Sequence, residues 1–93
     1  MDLKICSFNC CSLRKNIDLV RQLTENSFDV IMLQETMVTE EHLGILDYID
    51  ENYESVGIAA TFSDIALTTM AGRPRGGLAC LWRSNSSFII EKV

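Results

Sequence analysis

Long apolar runs are missing from this sequence, and so is any surplus of basic charge. No stretch approaches the ~20 apolar residues of a membrane-spanning helix, and Met1-Asp2-Leu3-Lys4-Ile5 lacks the basic segment and extended apolar core of a signal peptide. Eight Lys and Arg against 13 Asp and Glu give a formal charge of -5. That balance removes the term from which a stand-alone nucleic-acid binder draws most of its affinity, the neutralisation of phosphates by cations. A metal-dependent site is less affected, because a bound divalent cation inverts the local field around carboxylates.

Cysteine is present but not in a metal or redox spacing. None of Cys6, Cys10, Cys11 and Cys80 forms the C-x-x-C pair of a zinc site or a thioredoxin-like motif. Without a leader, reduced thiols in an intracellular compartment, nuclear or cytoplasmic, are the expectation. Cys6, Cys10 and Cys80 are expected to behave as small buried apolar residues of strands. The sequon Asn85-Ser86-Ser87 carries no meaning without secretion. Internal repeats, low-complexity tracts and interdomain linkers are absent too.

What is there points to a folded chain. A hydrophobic fraction of 47% with 23% charged residues lies in the globular range, far from that of disordered segments. At 93 residues the chain is one domain at most, and a fold of this size buries only about 60 to 65% of its unfolded surface.

Leu3-Lys4-Ile5-Cys6-Ser7-Phe8 reads as a first strand ending at Asn9. From Asn16 to Asn26, Ile17, Val20 and Leu23, with Leu19 beside them, make an apolar stripe at helical spacing, with Asn16 placed to cap the start and Asn26 just past the end. Asp29-Val30-Ile31-Met32-Leu33-Gln34-Glu35-Thr36 is the next strand. Its alternation puts Ile31, Leu33 and Glu35 on one face and Val30, Met32 and Gln34 on the other. Both faces are largely apolar, which predicts a central strand covered on both sides. The unit is β-α-β, and two parallel strands would present Asn9 and Glu35 side by side at the carboxyl end, where α/β sheets usually place their chemistry.

Beyond Glu35, residues 39–49 predict a short helix with a cap at Thr39 and acidic residues in its first turn, despite Gly44. Its His42, the sole histidine, is expected at the surface. Strands follow at Tyr53–Ala59, Gly77–Arg83 and Phe88–Val93, with Trp82 in the core. The connection from Ala60 to Gly76 contains Gly72-Arg73-Pro74-Arg75-Gly76, whose Pro and Gly forbid regular structure. Arg73 and Arg75 are candidate phosphate contacts, and a solvated basic loop is the plainer reading. Gly76-Gly77 eases entry into the following strand, and the loop lacks the Gly-Lys-Ser/Thr ending of a P-loop.

Ser7-Phe8-Asn9, the amphipathic helix, Leu33-Gln34-Glu35-Thr36 and Gly72-Arg73-Pro74-Arg75-Gly76-Gly77 in this order resemble the N-terminal part of the endonuclease/exonuclease/phosphatase superfamily. Within it they are most similar to the endonuclease domain of non-LTR retrotransposons. The resemblance implies an α/β fold, the N-terminal portion of a four-layered α/β sandwich in which a β-α-β unit is followed by antiparallel strands, with residues 1–93 a partial, truncated domain. It implies magnesium or manganese as cofactor, DNA as partner of the full-length form, and phosphodiester or phosphomonoester hydrolysis. Glu35 would match the family's metal-binding glutamate, and Asn9 the asparagine of its catalytic network.

Cys11 stands where many members carry an acidic residue or asparagine, and a thiol is too soft for magnesium. The family's tyrosine, Asp-x-Asn and Asp-His pairs find no match before Val93. A catalytically incomplete chain is the expectation, with a non-catalytic interaction module, or one part of an active phosphodiesterase or phosphatase completed by downstream sequence, as alternatives. A sandwich without its second sheet would expose a core face, at about 25 cal/mol per Å² of apolar surface. Self-association through that face is therefore expected.

Overall fold

The computed structural model describes residues 3–26, 28–61 and 75–85. The expected strand from Phe88 to Val93, and Arg73, lie outside the described residues. The elements are β1 (Ile5–Asn9), α1 (Ile17–Glu25), β2 (Val30–Gln34), a 3₁₀ helix (Glu40–Tyr48), β3 (Tyr53–Ile58) and β4 (Leu78–Arg83). They form a four-stranded sheet in the order β1-β2-β4-β3. β1 and β2 are parallel, and β4 is antiparallel to both of its neighbours. The expected β-α-β unit followed by antiparallel strands is therefore what the chain forms.

α1 exists because its stripe has a surface to meet. Val20 and Thr24 are buried, Ile17 and Leu23 pack beside the core, and Leu19 stays exposed. Asn16 sits at the cap position but its side chain does not cap. Its amide instead donates to the Cys10 carbonyl at 2.7 Å, which ties the turn after β1 to the start of the helix. The short helix expected after β2 is present, and it is 3₁₀ throughout. Its spacing supplies the reason. Leu43, Leu46 and Ile49 recur every third residue, and i, i+3 side chains eclipse in a 3₁₀ helix. That edge packs onto β3 at Gly57, where an added Cβ would meet Leu46 Cδ1 at 2.7 Å and Leu43 Cδ2 at 3.1 Å.

One face of the sheet carries the core. Ile31, Leu33, Ala79 and Leu81 join Leu13, Val20, Val38, Leu46, Ile49 and Tyr53 in a single buried cluster. In register, the opposite face holds Ile5, Val30, Trp82 and Glu54 in one row, then Ser7, Met32, Cys80 and Val56, then Asn9, Gln34, Leu78 and Ile58. Val30 and Trp82 are buried there, outside that cluster, and Trp82 Nε1 donates to Glu54 Oε2 at 3.0 Å. Elsewhere on this face Gln34 and Cys80 are half-buried, and Ile5, Met32 and Ile58 are 54%, 43% and 66% exposed. β2 is central in the sheet as its composition predicts, but its coverage is complete on one face only. Cys6 and Cys80 are half-buried strand residues, and buried Cys10 lies just past the end of β1.

Candidate functional site

The carboxyl ends of β1 and β2 and the segment entering β4 meet at one end of the sheet. Asn9 pairs with Gln34 in the register of β1 and β2, and Gln34 pairs with Leu78 of β4. Past the strands, the backbones stay together. Cys10 N–H donates to the Gln34 carbonyl at 2.8 Å, Ser12 to Glu35 at 3.0 Å and Leu13 to Thr36 at 2.9 Å. On the other side, Thr36 N–H donates to the Gly77 carbonyl at 3.2 Å and Met37 N–H to Gly76 at 2.9 Å. Residues 35–37 are thus laced between two other chain segments.

This lacing requires unusual backbone. Cys11, Ser12, Glu35 and Met37 all have positive φ, as do Gly76 at 82° and Gly77 at 90°. A non-glycine residue in the left-handed region sits there at a cost and is held by its surroundings. For Glu35, with φ of 51°, the consequence is functional. Strand alternation puts Glu35 on the same face as buried Ile31 and Leu33, but the left-handed turn breaks the alternation and the residue is exposed. Its carboxylate has no hydrogen-bond or ion-pair partner among the described residues.

Asn9 is exposed as well, and its side chain is oriented by a local turn. Oδ1 accepts from Cys11 N–H at 3.1 Å and from Cys11 Sγ at 3.2 Å. A backbone N–H can only donate, so this contact fixes which end of the amide is oxygen and leaves the NH₂ group as a donor with no partner among the described residues. Cys11 therefore serves to orient Asn9. Next to it, burial pushes the Cys10 thiol up from 9.0 to about 11, with Cys11 adding to the shift.

Arg75 reaches the same end through its backbone. It exchanges hydrogen bonds with Thr61, donating at 2.8 Å and accepting at 3.1 Å, and precedes the Gly76-Gly77 pair that holds residues 36 and 37. Its side chain is exposed. His42 stands apart on the 3₁₀ helix, exposed, with Nδ1 3.1 Å from Thr39 Oγ1 and 3.7 Å from Glu41 Oε1. Thr36, given no role by the sequence, and Gly77, expected only to ease entry into β4, both belong to this end of the sheet. Thr36 is 2% exposed, and its hydroxyl is the one buried side-chain N or O atom without a hydrogen-bond partner among the described residues. The double glycine was the available signal, since paired glycines mark places where φ must be positive or backbones must approach.

The donor set suits a hard divalent ion as a single anchor. An exposed carboxylate on a braced loop is an oxygen ligand of the kind magnesium takes, one or two per site with water and phosphate oxygens completing the octahedron. Among the described residues no group of three or more His, Cys, Asp or Glu is placed to hold a metal. The chain's described residues therefore offer an anchor and not a cage.

Comparison with solved structures places this geometry. The chain is similar to an AP endonuclease from Archaeoglobus fulgidus, with 28% identity and a TM-score of 0.63 over 87% of this chain and 27% of that one. It is also similar in fold to the 3′ phosphatase NExo from Neisseria, bound to product DNA hairpin, with 19% identity and a TM-score of 0.65 over 89% of this chain and 28% of that one. No protein-family model and no curated relative matches the chain. The fold is the α/β fold of endonuclease/exonuclease/phosphatase proteins, and the chain spans about a quarter of the length of these two structural relatives. Among the described residues, no helix is long and apolar enough to cross a membrane.

Proposed function

We propose that this chain supplies the metal- and phosphate-facing corner of a magnesium-dependent phosphodiester-hydrolysing domain of the endonuclease type, and that it does not complete hydrolysis alone. The observation that carries the reading is an unpartnered, exposed carboxylate at Glu35, on a turn fixed by backbone hydrogen bonds at the end of the sheet where β1 delivers the oriented amide of Asn9. Glu35 would hold magnesium or manganese. When bound, the ion supplies charge neutralisation at the phosphate oxygens. Asn9 would donate its amide NH₂ to a phosphate oxygen, with Cys11 N–H keeping the amide in that orientation. Arg75 would meet phosphate from the loop before β4, as would Arg73. His42 lies on the 3₁₀ helix and belongs to none of the three segments that form this corner.

DNA is the substrate class favoured by the likeness to an AP endonuclease and to a 3′ phosphatase bound to a DNA hairpin. Retroelement origin rests on Gly72-Arg73-Pro74-Arg75-Gly76-Gly77. The test is nicking of plasmid DNA, intact and carrying abasic sites, in magnesium. The purified chain is expected to leave both intact. Turnover that disappears in Glu35→Ala would contradict the incompleteness of the site.

One observation favours a second reading, a non-catalytic interaction module. Ile5, Met32, Val56, Ile58 and Leu78 share the open face of the sheet, and clustered apolar exposure marks association surfaces. Self-association there would appear in sedimentation as a dimer or larger species that Met32→Lys disperses. A function that survives Glu35→Ala but not Met32→Lys would favour this reading over the first.

A further inference from the structure

Glu35 does not hold its position by its own side chain, so something else must set where the carboxylate stands. The backbone is left-handed at Glu35 itself and at Met37, and Thr36 between them is buried. Its neighbour across the lacing is Gly77. An ideal Cβ placed on Gly77 would collide with Thr36 Oγ1, approach Met37 N at 3.3 Å and touch Ala60 Cβ at 3.4 Å. Gly77 also has φ of 90°, a region closed to other L residues without strain. Gly76, with φ of 82°, has open space where a Cβ would stand, so of this pair Gly77 is the one constrained by both conformation and contact.

We infer that Gly77 and Thr36 form a steric latch that positions Glu35: the missing side chain of Gly77 admits Thr36, and the seated Thr36 fixes the left-handed turn that turns the neighbouring carboxylate out to solvent. The latch acts by shape. Thr36 Oγ1 is buried without a hydrogen-bond partner, so its hydroxyl contributes no bond that would explain the residue. What the side chain does is fill the space over Gly77 while its backbone N–H donates to the Gly77 carbonyl. Thr36 and Gly77 are thus positioning residues, acting on a ligand group through the chain they constrain. This rests on the reading of Glu35 as a cation ligand.

The experiment is a titration of the full chain with manganese ion, read by loss of the free hexaaqua ion's electron paramagnetic resonance signal, alongside urea unfolding of every variant. Glu35→Gln tests the underlying reading, and Gly77→Ala tests the latch. Outer-sphere disruption of a metal ligand typically weakens binding by roughly 10- to 100-fold, and Gly77→Ala is expected to fall in that range. Thr36→Val, which keeps the shape and removes the hydroxyl, is expected to bind as the wild type does. Gly57→Ala is the control for plain destabilisation, because its Cβ would press on Leu46 and Leu43, away from the lacing. It is expected to lower the urea midpoint and leave manganese affinity unchanged.

If Glu35→Gln binds manganese as the wild type does, the reading of Glu35 fails and the latch has no ligand to position. If Glu35→Gln abolishes binding but Gly77→Ala retains wild-type affinity, the latch alone is overturned. Equal losses in Gly57→Ala and Gly77→Ala would likewise overturn it, since general loosening would then account for both. Should Gly77→Ala fail to fold, Thr36→Ala takes its place. It removes the seated side chain without adding bulk, and retention of wild-type affinity in it would overturn the proposal.

Discussion

The two ends of the sheet spend their carboxylates differently. At the end where β1 and β2 begin, Asp29 Oδ2 accepts from Lys4 N–H at 2.8 Å and Asp50 Oδ1 from Asn52 N–H at 2.8 Å. Tyr53 O–H donates to the Phe28 carbonyl at 2.6 Å, with the Thr24 carbonyl at 3.3 Å, and so ties β3 to the exit of α1. At the other end, residues 10–13, 34–37 and 76–77 are joined to one another by backbone bonds, with the amides of Asn9 and Asn16 bracing the turn after β1, and Glu35 is left out of the scaffold. Acids at the first end are structural. The acid at the second is held in place by others, at the cost of left-handed φ at four non-glycine residues. A side chain that the fold positions but does not use is available for a ligand.

Substitutions can break this comparison at graded strengths. Leu33→Ala should do most damage, because Leu33 is buried in the cluster beneath both ends. A loss of about 2 to 5 kcal/mol is expected, read from the urea midpoint. Tyr53→Phe should cost about 1 kcal/mol by leaving the Phe28 carbonyl unmet, and Asp29→Ala a similar amount. Both should leave divalent-cation binding intact, since they touch only the first end.

Alkaline pH probes the second end. The Cys10 thiol has a folded-state value raised from 9.0 to about 11 by burial, so the folded chain keeps this proton where the unfolded chain loses it. The stabilisation is complete below pH 9.0 and is lost as pH rises toward about 11. Unfolding followed across that window should show stability falling, and Cys10→Ala should lessen the fall, the remainder coming from Cys80 and Tyr53, whose values burial also raises. The smallest effect is expected for Glu35→Gln, within about 0.5 kcal/mol of the parent, because an exposed and unpartnered carboxylate supports no structure. A large loss of stability in Glu35→Gln would erase the contrast between the ends.

The sheet was legible where one physical rule dominates. β1, α1, β2, β3 and β4 follow from apolar periodicity, and the parallel pairing that sets Asn9 beside the end of β2 follows from their order. Periodicity failed where a second rule entered. Between Glu40 and Tyr48 the capping signals gave a short helix but not its type, which the threefold spacing of Leu43, Leu46 and Ile49 and the packing onto Gly57 set as 3₁₀. At Glu35, simple alternation places the carboxylate in the core, and the left-handed turn exposes it. That turn depends on Gly77 some forty residues away in the chain, a contact that no local pattern encodes. Glu35 and Asn9 were readable as site candidates from their strand-end positions. The seating of Thr36 over Gly77 was not.

The central claim is that Glu35 and Asn9 share one ion- and phosphate-facing corner. The most direct measurement is paramagnetic broadening of backbone amide resonances as manganese ion is added to the isotope-labelled chain. Amides of residues 9–12, 35–37 and 75–77 should broaden first and together, those of the Glu40–Tyr48 helix should stay sharp, and Glu35→Gln should abolish the selectivity. Broadening centred on Glu40 and Glu41, or unchanged by Glu35→Gln, would contradict the account.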